Sequence, residues 1–232
     1  MSSAAAPTAG PASVTPLRGD PNHLGHSRHG STERGARGHG TGGPASKRIV
    51  VAYGFWIFIL SDIVMFAAFF ASYAVLQGAT ADGPKPAELF DLNNVGLETA
   101  LLLLSSFVCG MAALALAARR MLPFQAAMAL TFLLGTGFVA LETNEFYGLV
   151  ERGAGPSQSA FLTAFFTLVG CHGLHVSVGL LWLLTMMAQV LAKGFRADIV
   201  RRTLCFTLFW HALDIVWVGV FSIVYLIGVI PP

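Results

Sequence analysis

Five apolar runs dominate the chain, at residues 51–77, 95–118, 122–150, 159–192 and 203–230. Each is long enough to cross a hydrocarbon core, which takes about 20 helical residues. The runs are continuously apolar and do not alternate in segments of about ten residues, so a transmembrane barrel is disfavoured. Lipid offers backbone N–H and C=O groups no partner, and a helix satisfies them within one segment. The pattern therefore predicts an all-α fold, an integral membrane bundle of five transmembrane helices occupying residues 49–232.

Residues 1–48 break that pattern. They are rich in Gly, Pro, Ser, Ala, His and Arg and lack hydrophobic periodicity, so they cannot bury enough surface to offset the entropy of ordering. A disordered cytoplasmic tail is expected. No apolar stretch followed by a small-residue cleavage site occurs in it, so the first apolar run is expected to direct insertion and the tail to be retained. Its histidines, His23, His26, His29 and His39, are metal ligands by type, but nothing fixes their geometry in so open a segment.

Composition agrees with the membrane reading: 55% of residues are hydrophobic and 11% charged, and mean hydropathy is +0.67. A net charge of +2 with scattered cations gives no nucleic-acid footprint. The cations report topology. Lys47 and Arg48 precede the first run, Arg119 and Arg120 join the second to the third, and Lys193, Arg196, Arg201 and Arg202 join the fourth to the fifth. Residues 78–94 carry Asp82, Glu88 and Asp91 against Lys85, and residues 151–157 carry one charge of each sign. The positive-inside rule then places the N-terminus in the cytoplasm and the C-terminus in the periplasm. Small residues four apart, Ser106 with Gly110 and Cys109 with Ala113, and the pair Gly170 and Gly173, are expected to let neighbouring backbones approach. Cys109, Cys171 and Cys205 lack CxxC spacing and read as packing residues.

Ionisable residues within the runs carry the candidate chemistry, because each is costly in lipid and demands a partner or a water-filled cavity. Counting about 1.5 Å per residue sorts them by depth. Asp62, His172, His175, His211 and Asp214 fall near the bilayer middle, where an inward-facing network of acids and histidines can form. Glu98, Glu142 and Glu145 form an outer layer. Glu142 and Glu145 lie three apart on one helix face and cannot readily both stay ionised without cations. The structural alternative is that these groups only fix helix register, as Asp214 would by bonding His211 or Trp217. Phe55, Phe58, Phe66, Phe69 and Phe70 read as packing or lipid contact.

No catalytic or metal centre is expected in the chain. The intramembrane histidines are too few for a bis-imidazole haem beside a copper centre. One HxxH pair lacks the further histidine boxes of a membrane di-iron oxygenase, and the Glu142 and Glu145 pair lacks an adjoining Glu-x-x-His motif. There is no phosphate-binding loop and no GxSxG elbow. An independent proton-coupled transporter using Asp62 and the histidines stays open, although broken helices and an inverted repeat are not apparent.

The segments GFWIFILSDIVMF (54–66), LETALLLLSS (97–106), FLTAFFTLVGCHGLHV (161–176) and LFWHALDIVWVGVFSIVYLIG (208–228) resemble the subunit III family of haem-copper oxidases. HGLHV in the penultimate helix and WHxxDxVW in the last stand in the family's order and spacing. The five-helix form is most similar to the quinol-oxidising branch, with cytochrome c oxidases and nitric oxide reductase accessory subunits as alternatives. The resemblance implies a non-catalytic subunit with no cofactor of its own, packed against a catalytic subunit I that holds haem and copper. It also implies phospholipid bound between the helices and support for proton uptake. The family's intramembrane carboxylate maps onto Asp62, where many members carry Glu, and Asp62, His175, His211 and Asp214 would belong to the polar network and the lipid cleft.

Overall fold

The computed structural model describes residues 47–81 and 91–229. Residues 1–46 of the expected tail, with its four histidines, together with Asp82, Lys85 and Glu88, lie outside the described residues, whereas Lys47 and Arg48 open a helix. Residues 1–50 and 51–232 form two contact units; of the first, only the opening turn of a helix is described.

Every regular element among the described residues is helical: α1 (Lys47–Leu76), α2 (Leu92–Ala117), α3 (Met121–Glu151), α4 (Ala160–Lys193) and α5 (Ala197–Val220). Backbone bonding continues beyond α5 with π-helical spacing over Phe221–Leu226 and a last α turn at Ile227–Val229. All five are long and apolar enough to cross a membrane, as the sequence predicts. Their boundaries differ from the apolar runs mainly in α5, which starts at Ala197 and not at 203. The polar first turns carry Asp198, Arg201 and Arg202, but Ile199 is buried and ties them to the bundle.

Local chemistry sets the helix ends. Asp91 opens α2 by accepting from the Asn93 N–H at 3.0 Å, and Ser159 opens α4 by accepting from the Leu162 N–H at 3.1 Å, both satisfying otherwise orphaned donors. Pro123 sits in the first turn of α3, where its missing N–H costs nothing. Gly194 ends α4 with φ +67°, a conformation that suits a residue without a side chain.

Helices α2 to α5 pack as a bundle, with α2 against α3 and α5, and α4 against α3 and α5. The core is aromatic: Phe138 meets Trp217 edge-on at 4.6 Å, and Phe206 lies 5.7 Å from Trp210. The closest approaches are not at the expected small-residue pairs. A side chain on Gly110 would meet nothing within 4 Å, and one on Gly170 would meet only Phe146, at 3.5 Å. Gly135 and Gly179 are tight positions, holding the indole of Trp210 between α3 and α4 with little room for a methyl on either side, and Gly219 is tight against Phe70.

Helix α1 buries far less of itself than the other four. It touches α4 through Phe55 with Trp182 at 5.8 Å, Phe66 with His175 at 5.3 Å, and Tyr73 with Phe161 at 6.0 Å. It meets α5 where Phe70 lies over Gly219. Tyr73 Oη donates to the Val224 carbonyl at 3.4 Å, within the π-helical stretch whose altered ladder leaves carbonyls available. Two contacts order the bundle ends. Phe161 N–H donates to the Ala79 carbonyl at 3.3 Å, joining the first turn of α4 to the α1–α2 connection. Phe124 meets Phe195 at 5.7 Å, joining the first turn of α3 to the α4–α5 connection.

Candidate functional site: polar groups within the membrane spans

The intramembrane ionisable residues fall into three separate groups. The outer group is Glu98 on α2 with Glu142 and Glu145 on α3, close enough to act on one another electrostatically. Glu98 is fully buried, and its Oε1 accepts from Asn94 Nδ2 at 3.2 Å. Glu142 is 4% exposed, and no donor among the described residues reaches either of its oxygens or those of Glu145. Sequence reasoning missed Asn94, although its position one turn before Glu98 on the same face was a usable signal. The electrostatic reach of all three acids extends to the buried Tyr225.

The second group lies at mid-span on α1 and α4. His172 is fully buried, with Trp217 at 5.2 Å, Phe138 at 5.9 Å and Phe66 at 6.2 Å around its ring. No hydrogen-bond partner reaches either nitrogen among the described residues. His175 turns its Nδ1 to the Cys171 carbonyl at 2.7 Å. Half-buried Asp62 acts electrostatically on Cys171 across the α1–α4 contact.

The third group joins α2 to α5. His211 Nδ1 lies 2.7 Å from Ser106 Oγ, and both act electrostatically on the Asp214 side chain beside them. Ser106, expected to be a packing residue, is the polar centre of this group. Trp217 does not bond Asp214: its Nε1 donates to Thr99 Oγ1 at 3.1 Å, while Trp210 Nε1 donates to Ser105 Oγ at 3.1 Å. These two hydroxyl partners carry no distinguishing sequence signal in so apolar a helix.

Two grooves border α5. One, between α1 and α5, encloses about 440 Å³ and is walled by Trp56, Ile63, Phe66, Phe70, Ile215 and Val216, with His211 at its edge. The other, between α2 and α5, also encloses about 440 Å³ and holds Ser106, His211 and Asp214 among apolar side chains. Among the described residues, no three His, Cys, Asp or Glu side chains converge as metal ligands would. His172 is walled in by rings and His175 is turned to its own helix backbone, so this donor set does not fit a haem or a copper ion.

The fold and these groups define a multi-pass helical membrane protein whose described intramembrane ionisable residues are distributed over its helix interfaces. Residues 31–229 match the family described as cytochrome c oxidase subunit III, and the chain belongs to that family. It is 51% identical over 176 residues to the cytochrome bo(3) ubiquinol oxidase subunit 3 of Pseudomonas aeruginosa, covering 76% of this chain and 84% of that one. It is 42% identical over 175 residues to the quinol oxidase subunit 3 of Bacillus subtilis, covering 75% and 86%. It is 40% identical over 177 residues to the cytochrome c oxidase subunit 3 of Bacillus sp. strain PS3, covering 76% and 86%. Family and spans together make it a multi-pass protein of the bacterial inner membrane.

Proposed function

We propose that this chain is the accessory third subunit of a haem-copper quinol oxidase in an aerobic respiratory chain. The observation that carries the reading is the 51% identity, over most of both chains, to a protein named as subunit 3 of a ubiquinol oxidase. In this reading haem and copper reside in the catalytic subunit I, against which this chain packs, and supply the electron transfer and oxygen chemistry there. The chain stabilises that subunit and supports proton uptake during proton pumping, with Asp62 the mid-span carboxyl nearest that task. Phospholipid occupies the apolar groove between α1 and α5, whose depth and walls suit an acyl chain. The N-terminus faces the cytoplasm, because the cation-rich connections Arg119 to Arg120 and Lys193 to Arg202 share one end of the bundle.

A cytochrome c oxidase is the second reading of the partner, favoured by the 40% identity to the Bacillus sp. strain PS3 chain. Comparing the oxidase purified from cells with and without this chain separates the roles. The expected result is an initial quinol-dependent oxygen uptake per haem that is nearly unchanged without it, and a rate that decays faster on continued turnover. Identical decay in both preparations would overturn the supporting role; oxidation of cytochrome c and not quinol would select the second reading.

A further inference from the structure

The groove between α2 and α5 presents a problem that lipid does not solve. Its floor holds Ser106, His211 and Asp214 near the middle of the spans Leu92–Ala117 and Ala197–Leu226. Ser106 has one hydroxyl proton. Its Oγ pairs with His211 Nδ1 at 2.7 Å, beside the Asp214 carboxyl group in the same groove. The carboxyl group can accept several hydrogen bonds, yet among the described residues no donor reaches Asp214 Oδ1. An aspartate at the centre of a spanning helix costs about 2.5–3.5 kcal/mol in lipid unless it is paired. An acyl chain in the groove would leave that cost standing.

The walls match a helix. Leu103, Phe107, Met111 and Leu114 expose 45%, 68%, 49% and 67% of their surface along the α2 side. Between them Gly110 has open space where a side chain would be. A small residue flanked by apolar ridges lets a second backbone come close. The groove between α1 and α5, by contrast, has no carboxyl group and is lined by apolar side chains apart from the His211 imidazole and the Trp56 indole.

We propose that the groove between α2 and α5 seats one transmembrane helix of another oxidase subunit, which crosses over Gly110 and gives the Asp214 carboxyl a hydrogen-bond donor. The occupant's chemistry follows from the groove: an apolar spanning helix carrying one hydroxyl, amide or cationic side chain at mid-membrane depth. The inference rests on the accessory-subunit reading.

The test places the photo-crosslinking residue p-benzoylphenylalanine at Phe107 or Leu114 in the full chain, at native expression, and irradiates membranes before purification in mild detergent. Mass spectrometry then identifies the adducts. The expected adduct is a membrane helix of another oxidase subunit with a donor side chain at the matching depth. Gly110→Leu is expected to lower co-purification of the oxidase about tenfold and leave this chain's own thermal midpoint unchanged, because nothing of its own lies within 4 Å of the added Cβ. Adducts only to lipid, or to a second copy of this chain, within an intact oxidase would overturn the proposal and leave the accessory reading standing. A chain that purifies without any oxidase subunit would overturn both.

Discussion

Replacing Gly179 with alanine drives a methyl group into a ring that has nowhere to go. The new Cβ would sit 3.0 Å from Trp210 Cζ3, 3.3 Å from Cε3 and 3.2 Å from Phe209 Cε1. The indole cannot retreat. On its far side a Cβ on Gly135 would already lie 3.0 Å from Cη2 and 3.1 Å from Cζ2. Its Nε1–H is bound to Ser105 Oγ at 3.1 Å, and the residue is 2% exposed. Overpacking of this kind costs about 1–3 kcal/mol, which for a chain of this size corresponds to a fall in Tm of about 3–10 °C.

The same alanine on a Trp210→Phe background loses the outer part of the indole as a neighbour and keeps the contact with Phe209, so it is expected to cost less there. The coupling between the two sites is then about 0.5–2 kcal/mol. Heating the detergent-solubilised chain with a thiol-reactive dye reports unfolding through Cys109, which is fully buried, once Cys171 and Cys205 are replaced by alanine. Equal losses on both backgrounds would refute the argument that the two glycines exist to admit Trp210.

Other perturbations separate packing from function. Thr99→Val removes the acceptor of Trp217 Nε1 and is expected to cost about 1–3 kcal/mol in the same unfolding assay, because a buried donor is left unpaired; Thr99→Ser should recover most of it. Glu142→Leu removes a buried carboxyl that has no donor among the described residues. It should leave the thermal midpoint unchanged or raise it, so a drop of several degrees would show that the carboxyl stabilises the bundle. Asp62→Ala is expected to keep the oxidase assembled while lowering sustained turnover or protons pumped per electron; a lost complex would assign Asp62 a structural role, and unchanged behaviour in every readout would remove it from proton uptake. A cysteine at Ala118 should react with a membrane-impermeant maleimide only from the cytoplasmic side, and labelling from the periplasm would reverse the assigned topology.

The spans were legible because nothing but a membrane helix accounts for continuous apolar runs of this length, and the structure returns all five. The start of α5 was not, since Asp198, Arg201 and Arg202 read as connection while Ile199 packs inward. Depth was readable by counting residues along each helix. Rotation was not: whether Trp217 meets Asp214 or Thr99 depends on how α5 turns about its axis against α2, and a run apolar on all sides has no polar face to report that angle. The same ambiguity hid the work of the glycines. Ser106 with Gly110 has the spacing of a packing pair, but Ser106 pairs with His211 and Gly110 faces open space, while Gly135 and Gly179 lie on different helices and share a ring that no spacing rule connects.

A subunit of a larger oxidase must be found with its partners. Purification of the tagged chain in mild detergent at native expression, with a visible spectrum and mass spectrometry of what accompanies it, tests that most directly. Haem-bearing partner subunits and quinol-dependent oxygen uptake are expected in the same fraction. A colourless, solitary chain, under conditions that preserve other oxidase assemblies, would contradict the accessory reading and make proton-coupled flux in liposomes the next assay.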